Sequence, residues 1–359
     1  MDIYVLDQDR KPFAIIDQYD SLIWTDRYDD MGDFEFYTTF DPVYLDIFQK
    51  DFYLKIPVSN RTMIIEDWDI SSDVENGVAF KATGRSLESL LSRRIVWNQT
   101  RIQGSVQNGI QKLLNRNAIS PSNDSRNIPN LSFQVNNDED IVAMDDIDAQ
   151  FTGDNLFDAI QSMCKAYDLG FRILMNSDLN FVFSLYNADD RSFGNPYNNQ
   201  YVIFSPDFDN LLDSQYKVFN STSKNVARIG GQGEGQERQW ANVGNASGMD
   251  RRELYVDAND ISNTYTDEET NETVAVDEVE YKEQLKQRGK EKLAEVQAYS
   301  TFEGEADTEG VFRYGTDFFL GDTVQIRNEY GIESRSRVVE ITFSQDPSKI
   351  TAIPTFRAV

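Results

Sequence analysis

The sequence predicts an α+β protein that is mainly β, with antiparallel strands at both ends of the chain. Three observations carry this prediction. Residues 1–84 alternate apolar and polar positions in short runs rich in aromatic and β-branched side chains. Residues 85–190 show helical spacing followed by a hairpin, and residues 191–359 return to strands around one long polar helix at 277–299. A chain of 359 residues exceeds the usual size of one core, so we expect three domains with these bounds.

The first domain, 1–84, is predicted from seven short strands separated by Asp, Asn and Gly. Seven strands in so short a segment indicate a sandwich or a barrel. Gly84 breaks the alternating pattern and marks the end of the domain. The predicted strands are 3–6, 13–16, 21–24, 33–37, 52–56, 63–70 and 78–83.

The second domain, 85–190, is predicted as an inserted α/β unit that begins with two helices. Ser86 can cap a short helix with three leucines on one face. Apolar residues at helical spacing predict a second helix at about 104–116. The stretch 115–140 is rich in Asn and contains two prolines, so we expect a loop there.

The strongest helix of this insert follows the predicted loop. Asp154 or Asn155 can cap it, its apolar residues lie on one face, and Gly170 is expected to stop it. A hairpin with strands at 171–175 and 181–186 comes next.

The third domain, 191–359, is predicted as strands interrupted by a loop and a helix. An acidic segment rich in Thr and Asn, 259–277, is expected to be an exposed loop. The helix at 277–299 carries only a narrow apolar stripe, and 300–359 is again predicted as strands. The predicted strands before the loop are 215–219, 225–229 and 239–243.

One internal comparison suggests that the two ends of the chain are related. Both contain a short strand, a longer strand and a third strand in the same order and with similar lengths. A duplicated β unit explains the match, and so do two unrelated three-strand meanders. The segments compared are 51–56, 63–70 and 77–82 with 322–326, 338–343 and 349–353.

The charge balance excludes several function classes. The chain has 34 Lys and Arg against 61 Asp and Glu, which gives a net charge of −27. Tight binding to phosphate backbones or anionic membranes needs clustered cations, so both are disfavoured. A channel lined with carboxylates would instead repel a polyanion and let it slide, while the alternative is that the charge only keeps an abundant protein soluble.

The residue inventory also limits the chemistry. There is no histidine and one cysteine, Cys164, so zinc sites and nucleophiles paired with an imidazole are excluded. No signal peptide and no apolar run of about 18 residues is present, which predicts synthesis in a cytoplasm-like compartment without membrane insertion.

Each candidate chemical site has a more ordinary structural interpretation. The glycine-rich loop 230–235 lacks the dinucleotide-binding spacing and is predicted as a hairpin turn. The acidic clusters 138–140 and 145–148 lack the pattern of a calcium loop, and no carboxylate pair stands out as an acid and base for glycoside hydrolysis. Cys164 is expected to be buried, and the four tryptophans lie mostly in strand patterns. We therefore predict no catalytic, cofactor-binding or metal-binding residue.

Several local motifs carry a resemblance to a known family. The chain resembles a siphophage and prophage tail-protein family over about residues 1–345. The motifs are structural and name no active site. They are 153–160 (GDNLFDAI), 224–231 (KNVARIGG), 314–322 (YGTDFFLGD), 95–97 (IVW), 117–121 (NAISP), 247–254 (SGMDRREL) and 328–332 (NEYGI).

The resemblance implies a fold of the phage baseplate-hub type: two related antiparallel β-barrel domains with inserted smaller domains. It further implies a homotrimer that presents six similar barrels to a sixfold tail tube. The implied partners are the distal tail protein or tail tube protein, the tape-measure protein, and the spike, fibre or receptor-binding proteins.

The function expected from this resemblance is a structural, non-enzymatic hub ring at the virion tail tip. It would form part of the DNA ejection channel without binding DNA specifically, and would be found in the host cytoplasm during assembly. The alternatives are a tail-associated cell-wall hydrolase and a carbohydrate receptor-binding tail protein. Many relatives carry such modules in a long C-terminal extension, and the end of this sequence at Val359 puts both alternatives in doubt.

Overall fold

The computed structural model describes residues 1–74, 77–211, 215–266, 272–303, 310–346 and 350–359, apart from the side chains of 302, 303 and 350. Each of the seven strands predicted in the first 84 residues is present, and β3, β4, β6 and β7 extend further than predicted. The elements are β1 (Ile3–Leu6), β2 (Pro12–Ile16), β3 (Ser21–Arg27), β4 (Asp33–Thr39), α1 (Tyr44–Ile47), β5 (Tyr53–Lys55), β6 (Met63–Asp73) and β7 (Gly77–Ser86).

Residues 85–190, the predicted insert, contain the three predicted helical segments, the first of them as a 3₁₀ helix, together with the hairpin and several short elements. Its elements are a 3₁₀ helix (Leu87–Arg93), β8 (Thr100–Gly104), α2 (Val106–Leu114), a turn of π-helix (Asn115–Ile119), a 3₁₀ turn (Asp124–Arg126), β9 (Leu131–Gln134), α3 (Glu139–Val142), β10 (Ile147–Phe151), α4 (Leu156–Ala166), β11 (Gly170–Met175) and β12 (Phe181–Tyr186).

Three local predictions for the insert were wrong. The Ser86 hydroxyl does not cap the helix after it, because it accepts a hydrogen bond from the Gly32 amide at 2.8 Å. The predicted loop 115–140 contains β9 and three short helical turns. Gly170 does not stop α4. The helix ends at Ala166, Asp168 takes the left-handed conformation at φ 56°, and Gly170 opens β11 against the ring of Tyr28.

The last third of the chain holds the remaining strands and the long helix. Its elements are β13 (Ile203–Phe204), a 3₁₀ turn (Pro206–Phe208), β14 (Gln215–Phe219), β15 (Val226–Gly230), a 3₁₀ turn (Gly235–Glu237), β16 (Trp240–Val243), a 3₁₀ turn (Gly248–Asp250), β17 (Glu253–Asp257), β18 (Thr264–Thr266), β19 (Thr273–Ala275), α5 (Glu278–Glu295), β20 (Tyr299–Glu303), β21 (Thr323–Arg327), β22 (Glu333–Gln345) and β23 (Ile350–Ala358).

The acidic segment 259–277 is not entirely a loop. Thr264–Thr266 and Thr273–Ala275 pair as an antiparallel hairpin, while 267–271 lie outside the described residues. The long helix is shorter than predicted, and the carboxylate of Asp277 caps it by accepting from the Val279 amide. No helix in the described part of the chain has the length and apolar character needed to span a membrane.

One large sheet joins the two ends of the chain. Its strand order is β14-β20-β23-β22-β3-β4-β7-β6-β5-β1-β2, with β21 beside β22 and β13 beside β21. The connection is the antiparallel pair β3–β22, in which Leu22 to Arg27 face Gln345 to Glu340. The mainly β prediction is confirmed, and strands expected in two separate regions share one sheet.

The described residues form three apolar cores. The core beneath the main sheet takes residues from both ends, including Trp24, Phe36, Phe204 and Phe343. A second core lies mainly within the insert, and a third packs α5 against the small sheet β16-β15-β17. The predicted apolar stripe of α5 serves this third core through Tyr281 and Leu285.

The strand order of the main sheet is repeated within the chain. In the N-terminal unit, taken in chain order, the six strands are β1, β3, β4, β5, β6 and β7. They lie in the sheet as β3-β4-β7-β6-β5-β1. In the C-terminal unit the six strands are β13, β14, β20, β21, β22 and β23. They lie as β14-β20-β23-β22-β21-β13. The two orders are the same position by position, and only the last pair differs in direction, because β13 runs parallel to β21.

Candidate functional site

The candidate functional surfaces are strand edges of the main sheet. Among the described residues, β14 has a strand neighbour on one side only, where it pairs with β20. β6 pairs with β7 along its whole length but with β5 only at Met63 and Ile64. From Asp67 to Asp73 every β6 residue is exposed. Such strand edges present unpaired backbone groups and are natural sites for adding another strand.

The exposed part of β6 carries apolar side chains between carboxylates. Trp68 is 46% exposed and Ile70 is 40% exposed, although both belong to a strand. The Trp68 ring stacks on Phe80 with centroids 6.1 Å apart, so it is held in place on the surface. Asp69 lies opposite Lys81, whose ammonium donates to Glu35 at 2.6 Å, and this hydrogen bond raises the pKa of Lys81.

The β14 edge has a similar mixture of side chains. Val218 is 55% exposed and Phe219 is 39% exposed. The Phe219 ring stacks on Tyr299 of β20, with centroids 4.7 Å apart. Lys217 and Tyr216 complete the outer part of this strand. Both edges therefore combine fixed aromatic groups with charge, which is typical of surfaces that pair with protein.

A third exposed apolar area lies on the hairpin of β1 and β2. Phe13 is 51% exposed and Ile15 is 63% exposed, and together with Tyr4 and Leu179 they line an open apolar cavity. Phe13 packs edge-on against Phe52 at 5.3 Å. This area lies at the opposite end of the sheet order from β14.

Beneath the β3–β22 pair lies a buried polar cluster. The Asp26 carboxylate accepts from Trp24 Nε1 at 3.0 Å and from the Ser59 hydroxyl at 2.6 Å, and burial raises its pKa to about 6. Arg61 donates to Glu88 at 2.5 Å, and Glu88 also accepts from the Ile173 amide at 2.7 Å. These groups are enclosed and joined to one another, so they connect the sheet to the insert.

A second buried carboxylate with a raised pKa lies on α5. Burial raises the pKa of Glu291 to about 7. Its Oε1 accepts from Gln287 at 3.1 Å, and Arg288 is 3.8 Å away. Glu291 is 2% exposed, and both of these partners belong to α5.

The first residues of the glycine-rich loop already have hydrogen-bond partners for their backbone groups. Arg238 donates to the carbonyls of Gly230 and Gly231 at 3.0 and 2.9 Å, and the Gln232 amide donates to the Tyr281 hydroxyl at 2.8 Å. A phosphate cradle needs amides that point at the ligand, so this arrangement is that of a turn held by an arginine.

The acidic clusters are also used locally. Asp138 caps α3 by accepting from the Asp140 amide. In the described part of the chain, no group of three or more Cys, Asp or Glu side chains is placed to hold a metal ion. Cys164 is fully buried, and burial raises its pKa, so its thiol is unreactive.

The four tryptophans differ more than their sequence patterns suggest. Trp24 is in the core, whereas Trp97 is 62% exposed and lies beneath the Arg126 guanidinium at 4.9 Å. Trp68 and Trp240 are partly exposed. The sequence favours interfaces at exposed strand edges but did not identify β6 and β14 as the strands that form them. The alternation of acidic and apolar residues around Trp68 was the available signal for the first.

Comparisons with known proteins agree with this architecture. A family model described as Siphovirus ReqiPepy6 Gp37-like protein matches residues 2–356. The chain belongs to this family. The resemblance to siphophage and prophage tail proteins is therefore confirmed. A comparison with curated proteins gives no match.

Solved structures of tail proteins share the fold. The tail protein from Neisseria meningitidis MC58 is 12% identical with a TM-score of 0.57, covering 99% of this chain and 96% of that one. The 43 kDa tail protein of prophage MuSo2 from Shewanella oneidensis is 13% identical with a TM-score of 0.55, covering 100% and 98%. Prophage tail protein gp18 from Listeria monocytogenes EGD-e is 11% identical with a TM-score of 0.54, covering 99% and 94%.

Proposed function

We propose that the chain is a structural, non-enzymatic hub of a siphophage tail tip. In this role it forms a homotrimeric ring in the virion. The ring links the tail tube or distal tail protein to the spike, fibre or receptor-binding proteins. Family membership and the tail-protein fold support the tail location.

The repeated six-strand order is the observation that carries the hub proposal. Residues 1–84 and 191–359 would be two related units of β-barrel type, with 85–190 inserted between them. Three chains then supply six similar units, so a threefold ring can match a sixfold tail tube on one side and a threefold tip on the other. The shared sheet across β3–β22 would fix the angle between neighbouring units.

The charge of the chain suits a channel for DNA and the tape-measure protein. With a net charge of −27, an inner surface lined by carboxylates repels a polyanion and does not bind it. We expect charge-reversing substitutions on that inner surface to leave assembly intact and to slow DNA ejection. Normal ejection from such particles would count against a channel.

The hub proposal is tested by locating the protein and weighing its assembly. Antibodies against the chain, seen by immunogold microscopy, should label one end of the tail, and light scattering of the purified chain should give about three times 41.2 kDa. Labelling along the whole tail, or none on virions, would overturn the hub. Turnover of purified host wall by the isolated chain would instead support a hydrolase, and saturable binding to host cells a receptor-binding role.

A further inference from the structure

We propose that the β14 edge of one copy pairs antiparallel with the exposed part of β6 in a second copy, in a register set by the chain itself. In this register Asp69 lies opposite Lys217, Trp68 opposite Val218, and Ile70 opposite Tyr216. The partner is a second copy of this chain. The pairing defines, residue by residue, the interface between neighbouring chains of the proposed hub. Only the number of copies in the ring, three, rests on the proposed hub function.

The register follows from a β-bulge that both units share. The pairing of β6 with β7 shifts between Ile65 and Asp67, and the pairing of β22 with β23 shifts between Val338 and Glu340. Each bulge begins one residue beyond the last pair with the fourth strand, which is Ile64 with Tyr53 in one unit and Arg337 with Thr323 in the other. Aligning them places Asp67 with Glu340, Trp68 with Ile341, Asp69 with Thr342 and Ile70 with Phe343. A bulge fixes the alignment of the two units, because at that point the fifth strand has one extra residue relative to the sixth strand.

The partner strands align through their own pairings. Gly84 and Phe356 lie opposite the residues before the two bulges, and they pair in turn with Phe34 and Phe302. The aligned positions then share four identical residues. These are Phe34 with Phe302, Glu35 with Glu303, Thr83 with Thr355 and Arg85 with Arg357. Continuing to the second strands places Trp24 with Tyr216 and Asp26 with Val218.

Within the chain, the second strand of the N-terminal unit already pairs with the fifth strand of the C-terminal unit. This is the β3–β22 contact, with Phe343 opposite Trp24, Thr342 opposite Thr25 and Ile341 opposite Asp26. The reciprocal contact would join the second strand of the C-terminal unit, β14, to the fifth strand of an N-terminal unit, β6. These are the two edges that have no such neighbour among the described residues.

Transferring the register pairs side chains that suit one another. Ile341 and Phe343 are buried by β3, whereas their counterparts Trp68 and Ile70 are 46% and 40% exposed. Val218, 55% exposed, would cover Trp68 in the second copy. Cross-strand apolar pairs and opposite charges each stabilise an antiparallel pair.

The charges form a ladder across the proposed junction. Glu35 accepts from Lys81 at 2.6 Å, and Lys81 lies opposite Asp69 within the chain. Lys217 of the second copy would lie on the other side of Asp69. The signs then alternate from strand to strand, and a slip of one residue would place Asp69 opposite Tyr216 or Val218 on the other face.

Each chain has one edge of each kind, so the contact is head-to-tail. Such heterologous contacts generate closed rings when the rotation between copies closes. The β14–β6 contact between chains would copy the geometry of the β3–β22 contact within a chain. The rotation from one unit to the next would then be the same at every junction around the ring.

The test is disulfide cross-linking between two variants that each carry one added cysteine. Asp69→Cys and Lys217→Cys chains are mixed at the concentration used for light scattering and treated with a mild oxidant. We expect a covalent dimer, because directly opposite residues lie within the separation that a disulfide spans. Neither variant alone should give it, and Cys164 is buried.

The register control moves one cysteine by two residues along the same face. Asp67→Cys mixed with Lys217→Cys should give at least about tenfold less dimer, since diagonal positions are ~7–8 Å apart. Equal yields from both pairs would overturn the register. An oligomer in which neither pair cross-links would overturn the pairing and leave the hub proposal standing. A cross-linked ring that is absent from tail tips would support the pairing and overturn the hub proposal. A monomer that gives no cross-links would overturn the pairing.

A second variant tests the surface without cysteines. Val218→Glu puts a carboxylate against Trp68 of the next copy and should reduce the mass of the assembly to that of the monomer. Val279→Glu, on the exposed face of α5 and 70% exposed, is the matched control and should leave the mass unchanged. Equal masses for the two variants would contradict the proposal. Both sites are on the surface, so the melting temperature of the monomer should be preserved.

Discussion

The N-terminal and C-terminal β units have the same strand order but different surroundings at one strand. In the C-terminal unit β22 is covered by β3, and its Ile341 is fully buried. In the N-terminal unit no strand of the described residues covers the counterpart β6 in this way, and Trp68 and Ile70 stand half exposed. The strands themselves are alike in length, bulge and pairing with the sixth strand. Burial at this position is therefore set by the neighbouring strand and not by the strand itself.

The largest effect should come from removing a covered side chain. Ile341→Ala should lower the free energy of unfolding by about 2–5 kcal/mol, because the cavity forms in a closed core. Ile70→Ala removes the same atoms from β6 and should change the free energy of the monomer by less than about 1 kcal/mol. Denaturant unfolding at a concentration where the chain is monomeric measures both. Equal losses of unfolding free energy from the two substitutions would contradict the difference in burial between β22 and β6.

Asp26 provides a test of the same junction by pH. Its counterpart on β14 is Val218, and only Asp26 is buried under a neighbouring strand. Burial raises the pKa of Asp26 from 3.8 to about 6, so the folded state holds the proton more tightly than the unfolded chain. Its contribution to stability is complete below pH about 4 and is lost as pH rises to about 6.

Asp26→Asn should remove the loss of stability that accompanies ionisation of the Asp26 carboxyl. A shift of about two pKa units corresponds to ~3 kcal/mol, so the variant should be more stable than the wild type at pH 8 by that order. The two should differ least near pH 4. Unfolding curves at a series of pH values provide the comparison, and a difference that does not change with pH would be the contrary result.

Gly84 and Phe356 are equivalent positions that tolerate different groups. A Cβ on Gly84 would lie 1.8 Å from the Ile64 carbonyl oxygen, whereas Phe356 holds a full side chain in the core at 1% exposure. Gly84→Ala should therefore destabilise the N-terminal unit by about 1–3 kcal/mol through overpacking. Thermal unfolding reports the change. An unchanged melting temperature would mean that the first bulge is looser than the second.

The smallest effect should come from the charge pair at the junction. Arg27 donates to Glu340 at 2.7 Å across β3 and β22, and both side chains are about a quarter exposed. Glu340→Gln should lower stability by less than about 1 kcal/mol at low salt. Asp67→Asn, at the equivalent position of β6, should leave the monomer unchanged. A larger effect from Asp67→Asn would break the comparison.

Local chemistry was sufficient to predict the seven N-terminal strands and the three longest helices, α2, α4 and α5. All seven N-terminal strands were predicted, because each alternates with period two and is bounded by turn residues. Asn155 was a predicted cap and does accept from the Phe157 amide. The absence of histidine by itself limits the acid–base and metal chemistry that the chain can perform.

The neighbours of the strands could not be predicted in this way. Trp24 and Trp68 both lie in alternating strands between polar or β-branched residues, yet one is buried and the other half exposed. Their difference comes from β22, which is hundreds of residues away from β3 and leaves no trace in the local pattern. The prediction that Gly170 stops α4 was wrong for a similar reason, since the Tyr28 ring that lies against Gly170 is 142 residues away along the chain.

The distance along the chain between β3 and β22 delays their pairing during synthesis. Arg27 and Glu340 are 313 residues apart, so at about 5–20 residues per second the ribosome needs about 15–60 s to supply the partner of β3. Throughout that interval β3 is without β22, while β6 of the same or another nascent chain is already made. Because β6 is the counterpart of β22, it competes for β3. The yield of correctly joined chains should therefore fall when many copies are synthesised close together.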